Sequence, residues 1–255
     1  MLETCMFLKP TDVTAARAVS RAGAVCGAFL VIRSVLHGCV HGEALLHDLL
    51  WGTIFGAASL VLLAVIGRAA NAFLVRQRLR VETEGGNLAA AVAAAAHYIA
   101  AGSVIAHCLY GDDLQTLGLS FVLLLIALVT LLLLLTGFRS LTSYDDEREI
   151  AAGNAAAALS YAGATVAMAI IVGHAADRSF VVASISVRSY LGALLFCLAL
   201  YPVRQLLVAR VILRLPLVWR GGALDALIGR DRRVGVAAAE ALAYLATALL
   251  VSGVV

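Results

Sequence analysis

Residues 117–135 carry no ionisable side chain, and nothing constrains the fold of this chain more than that run. Bilayer hydrocarbon offers no partner to backbone N–H and C=O groups, so a spanning segment must be a helix or part of a closed barrel. Barrel strands alternate between lipid-facing and lumen-facing residues, and this run shows no such alternation. One helical span takes about 20 apolar residues. Seven stretches qualify: 13–36, 49–67, 87–108, 117–137, 154–173, 187–203 and 234–255. Composition agrees, since 62% of the residues are hydrophobic and only 14% charged, whereas a soluble domain carries about 25% charge. The expected fold is an all-α polytopic membrane protein, one membrane domain over residues 1–255.

The net charge is +3 and rests almost wholly on arginine, Lys9 being the only lysine. The arginines gather at span ends, which points to topology and lipid contact and away from nucleic acid. Arg68, Arg76, Arg78 and Arg80 follow span two, Arg139 and Arg148 follow span four, and seven arginines from Arg204 to Arg233 follow span six. The links after spans one and three hold no Lys or Arg, and the link after span five holds only Arg178. This alternation predicts a multi-pass protein with a cytoplasmic N-terminus and an outside C-terminus. The link 204–233 is expected to form either an interfacial amphipathic segment with snorkelling arginines or a solvated extension of span six. Trp219 lies within that link. Residues 1–12 do not read as a signal peptide. Cys5, Cys26, Cys39, Cys108 and Cys197 form no CxxC pair and read as small apolar filler.

The spans also repeat. Glu82, Gly86 and Asn87 with three alanines match Glu149, Gly153 and Asn154 with three alanines, in register. The register continues to the far ends of these spans, where His107 falls opposite His174. Span one aligns further in, and span seven keeps the acid, glycine and alanines but has Val236 in place of asparagine. Four small-residue helices, the A helices, therefore alternate with three leucine-rich B helices. The repeat units are 11–80, 82–146, 149–230 and the half-unit 231–255. All A helices start on the same side and run parallel. Their faces Gly23-x3-Gly27, Ala91-x3-Ala95 and Gly163-x3-Ala167 permit close approach, leaving the B helices to lipid.

An acidic residue, a short gap, Asn, an Ala-rich stretch and a glycine about ten residues on resembles the bacterial YjfL-like inner-membrane family, a domain of unknown function. The likeness is strongest over residues 49–175, and Thr14 and Val236 depart from its asparagine. The resemblance implies the bacterial inner membrane and a membrane-stress or transport context, with polyamine-related enzymes among frequent genomic neighbours.

An ionisable group inside a span costs about 2.5–3.5 kcal/mol, so each one needs a reason. Glu240 lies in span seven, and Arg17 and Arg21 lie in span one, flanking the repeat equivalent of Glu240. Equal depth in parallel helices would allow an Arg–Glu240 pair, serving as an ion or proton relay or as a neutralised structural pair. His97, near the middle of span three, is the single proton-handling candidate, with a hydrogen-bonded core histidine as the simpler reading. Asn87 and Asn154 most simply cap the A helices beside Glu82 and Glu149, the competing idea being a vestibule for a cation. On the outer side His37, His41, His107 and His174 are weak metal-ligand candidates, and histidines at headgroup level are the plainer reading. No nucleotide-binding or hydrolase motif is present.

The expected function is non-enzymatic and needs no cofactor: a channel or transporter for a small cationic solute, a polyamine or ions. The alternatives are a structural or regulatory scaffold, homo-oligomeric through its Gly/Ala faces and recruiting cytoplasmic partners, and, less simply, a subunit of a lipid-modifying enzyme.

Overall fold

The computed structural model describes residues 10–39, 42, 44–73, 79–109, 111–176, 183–218 and 220–253. His41, Arg76, Arg78, Arg178 and Trp219 lie outside the described residues. Seven helices are long and apolar enough to cross a bilayer. The A helices are α1 (Pro10–Cys39), α4 (Leu88–Cys108), α7 (Ala155–Ala176) and α10 (Val234–Ser252). The B helices are α2 (Leu45–Phe73), α5 (Leu114–Arg139) and α8 (Ala183–Val203). Three short linker helices precede the later A helices: α3 (Leu79–Glu84), α6 (Asp146–Ala151) and α9 (Ala223–Asp225). The seven-helix membrane architecture expected from hydropathy is thus observed, and no strand occurs among the described residues.

The A helices form a single row, α1 against α4, α4 against α7 and α7 against α10. They run parallel: Gly23 meets Ala95 while Gly27 meets Tyr98 and Gly102, and the Ser34 hydroxyl donates to the Ala106 carbonyl. The absence of side chains is what allows this packing. A Cβ on Gly23 would sit 2.5 Å from the Ala95 Cβ, and one on Gly163 would sit 2.5 Å from the Ala241 Cβ. Without a hydrophobic driving force between helices in lipid, such close dispersion contact is what holds them together. Each B helix lies over the groove between two successive A helices: α2 over α1/α4, α5 over α4/α7 and α8 over α7/α10. The two inner A helices are 72% buried across their spans, whereas α2 is 17% buried and presents its leucines outward to lipid.

Span six continues beyond α8 as a π-helical stretch, Arg204–Ile212. The start of the link 204–233 is thus helical and continuous with span six, but it is not solvated all round, because its inner face is core. Arg204, Gln205, Val208 and Ala209 are buried, while Leu206, Leu207, Val211 and Ile212 are exposed. Arg204 does not snorkel, because partners hold it inside.

Candidate functional site

The repeated Glu-x3-Gly-Asn element is a helix stop and a helix start in six residues. Asn87 N–H donates to the Glu82 carbonyl (3.0 Å) and Gly86 N–H to the Thr83 carbonyl (3.0 Å). Asn154 and Gly153 bond in the same way to Glu149 (2.9 Å) and Ile150 (3.0 Å). This double bond is the Schellman closure, and it needs a left-handed residue at the glycine. Gly86 has φ +86° and Gly153 has φ +75°. The asparagine then caps the next helix. Asn87 Oδ1 accepts from Ala90 N–H, and Asn154 Oδ1 from Ala156 and Ala157 N–H.

The amide nitrogens reach across to the next linker. Asn87 Nδ2 donates to the Ile150 and Ala151 carbonyls, and Asn154 Nδ2 to Ile228, Gly229 and the Glu149 carboxylate. Every polar atom of Asn154 is spent on the backbone or on Glu149, so the amide has nothing left with which to form a cation vestibule. At the last linker the left-handed position falls on Arg232 (φ 53°), and α10 starts with no side-chain cap.

At the end where the A helices begin, each groove receives an arginine from its B helix or from the stretch that continues it. In the third groove this is Arg204, fully buried. Its Nε donates to Glu240 Oε1 at 2.6 Å and its Nη2 donates to Asp225 Oδ1. Tyr244 O–H donates to the same Glu240 oxygen at 2.5 Å, and Ser143 N–H to Asp225 Oδ2 at 2.8 Å. Two buried atoms, Arg204 Nη1 and Glu240 Oε2, find no hydrogen-bond partner among the described residues. The cluster therefore sets one guanidinium against two carboxylates. The Arg17 or Arg21 partnership with Glu240 expected from equal depth does not form. The α1 and α10 helices stand at opposite ends of the A row, and the Glu240 carboxylate is held by Arg204.

In the second groove Arg139 Nε donates to Asp146 Oδ2 at 3.0 Å, and its guanidinium lies 4.8 Å from the centre of the Tyr161 ring. Burial pushes the Asp146 carboxyl up to about 6, against the pull of Arg139 and with Glu240 and Asp145 adding to the rise. Tyr161 links this groove to His97. An amide oxygen can only accept, so His97 Nδ1–H donates to Asn71 Oδ1 at 2.7 Å and Nε2 accepts from Tyr161 O–H at 2.6 Å. His97 is thus a buried histidine held through both ring nitrogens.

The first groove is different. A cleft of about 630 Å³ opens between α1, α2, α3 and α4, lined by Arg17, Arg21, Arg68, Arg80, Thr83 and Glu84 among others. Arg80 pairs with Glu84 at 2.8 Å. Arg17, Arg21 and Arg68 have no ion-pair partner among the described residues.

On the opposite side, the His107 and His174 rings meet edge-on at 6.0 Å, with His107 Nδ1–H donating to the Ser103 carbonyl at 2.7 Å. His37 is exposed on α1. Among the described residues no cluster of three or more His, Cys, Asp or Glu could hold a metal ion.

Residues 11–109 and 112–255 each match the family described as Domain of Unknown Function (DUF350). The chain belongs to this family. The DUF350 pattern thus occurs twice and takes in both outer spans as well as the central stretch that carried the YjfL-like resemblance. Its two copies divide at the turn between α4 and α5. No curated protein matches the chain, and no solved structure does.

Sequence reasoning missed Asp225 and the burial of Arg204. One signal was present: Arg204 directly follows the apolar run of span six, as Arg139 follows that of span four, and apolar residues continue beyond it.

Proposed function

We propose that this DUF350 protein exchanges a proton or small cation at the Arg204–Asp225–Glu240 centre, its arginine-rich end toward the cytoplasm. The observation that carries this reading is Glu240 Oε2, buried without a donor in a cluster with one more carboxylate than guanidinium. An uncompensated buried charge is costly, and a proton or bound cation relieves it. The side chains stand at hydrogen-bond distance, which suits a proton or bare ion better than a polyamine. A route would follow α7, α8 and α10, since the A–A contacts are closed by Gly–Ala packing. In proteoliposomes, wild-type protein is expected to raise proton or potassium flux above protein-free vesicles, and Glu240→Gln to abolish the increment while the protein remains folded. Wild-type flux no higher than that of empty vesicles would reject the proposal.

That outcome would favour a non-transporting scaffold. Its support is the row of A helices in direct contact and the complete use of Asn154 in joining one linker to the next. In a scaffold, Glu240→Gln alters stability alone.

A further inference from the structure

The grooves differ in how their arginines are neutralised. Asp146 on α6 answers Arg139, and Asp225 on α9 together with Glu240 answers Arg204. Beneath the first groove, α3 supplies Glu84, and that carboxylate is taken by Arg80 of the same helix. Arg17, Arg21 and Arg68 face the cleft with no carboxylate at ion-pair distance among the described residues, Glu84 acting on Arg17 only from farther off, although all three lie within the membrane-spanning segments of α1 and α2. At 1.5 Å per residue, Arg21 lies roughly 14 Å along α1 from the start of the span. An arginine at such depth needs an anion or a path to water. Thr83 lines the same cleft, is 6% exposed, and its hydroxyl has no hydrogen-bond partner among the described residues.

We infer that the α1–α4 cleft is a binding site for a phosphate-bearing anion, which supplies from outside the charge that Asp146 and Asp225 supply from within. The guanidinium fork matches phosphate oxygens bidentately, and three unpaired forks around one cleft prefer a phosphate to a single weak halide. Thr83 offers a hydroxyl donor to the same group. A basic pocket between spans near the interface suits the headgroup of an anionic lipid, and a soluble phosphate would meet the same donors. The site is independent of the exchange proposed at Glu240, which lies at the other end of the A row.

The test uses purified full-length protein in detergent, probed with phosphatidylglycerol, phosphatidylcholine or inorganic phosphate. Retained ligand is read by native mass spectrometry, and protection by the thermal midpoint. Phosphatidylglycerol is expected to bind one per chain, at least tenfold tighter than phosphatidylcholine, and Arg17→Gln/Arg21→Gln to lose that preference. Arg220→Gln, removing one exposed arginine elsewhere, keeps it. Protection by inorganic phosphate alone, lost in the same double variant, would support the site and assign it to a soluble ligand. Equal retention of both lipids by wild type and double variant, with no effect of phosphate, would overturn the inference. If the double variant does not fold, Arg68→Gln makes the same measurement with one charge removed.

Discussion

The first and third grooves share a plan: a B helix delivers an arginine to the end where two A helices begin, and a linker helix lies beneath. They differ in who answers the charge. Arg204 is sealed and bonded to acids from α9 and α10, whereas Arg68 is exposed and shares its cleft with three other arginines. The same backbone plan thus yields a closed internal ion cluster at one end of the row and an accessible basic cleft at the other. The largest expected effect follows from removing the arginine. Arg204→Met strands Asp225 and Glu240 as buried charges, and breaking such a cluster costs about 3–5 kcal/mol. Arg68→Met removes an exposed charge and changes stability by within about 0.5 kcal/mol. Thermal midpoints in detergent should separate the two variants widely. Equal losses would show that the first groove also depends on its arginine for folding, and the contrast would fail.

Spans, parallel A helices and capping asparagines were all legible in the sequence because each rests on local periodicity or on a short repeated element. The Glu-x3-Gly-Asn pattern carries a helix stop, a left-handed glycine and a cap within six residues, so its register alone located three linker-to-helix joints or their degenerate forms. Ion pairing was not legible. The repeat register gives Arg17 and Glu240 similar depths, but depth in parallel helices says nothing about position along the row, and three A–A interfaces separate them. Asp225 sits in an irregular link with no periodicity to reveal its inward face. Arg204 looked like a flanking basic residue because nothing local distinguishes a snorkelling arginine from one bonded to acids 21 and 36 residues later. Asn71 was hidden in the same way, as a polar residue at a helix end whose partner His97 is 26 residues away.

The second groove is the intermediate case, since its pair Arg139–Asp146 is only partly shielded on the arginine side. Its carboxyl is raised from the ordinary 3.8 to about 6 by burial. The folded protein therefore holds the Asp146 proton more tightly than the unfolded chain does. The associated stability is complete below the unfolded value and is lost as pH rises through about 6, amounting to roughly 2–3 kcal/mol in total. The thermal midpoint of wild type should accordingly fall between pH 5 and pH 7, with that component missing in Asp146→Asn. A wild-type slope unchanged by the substitution would place Asp146 in a wetter setting, closer in kind to the first groove than to the third.

The smallest expected effect tests whether the first groove is a third-groove arrangement lacking its acid. Thr83 lies on α3, beneath the first groove as Asp146 on α6 lies beneath the second. Its side chain is buried, its hydroxyl is unpaired, and four arginines line the same cleft. Thr83→Asp keeps the side chain short and introduces one carboxylate among those guanidiniums. Attraction to partly exposed arginines is opposed by the cost of drying the new charge, so the net change in lipid-free stability should be favourable and under about 1 kcal/mol. The informative readout is the ligand. An internal carboxylate competes for the same donors, so phosphatidylglycerol should stabilise Thr83→Asp less than wild type, while Thr83→Val, which adds no charge, should retain most of the wild-type response. A Thr83→Asp protein that is destabilised yet still stabilised by phosphatidylglycerol to the full extent would mean that the arginines do not converge on this position. The openness of the first groove would then reflect the shape of α3 and not a missing charge.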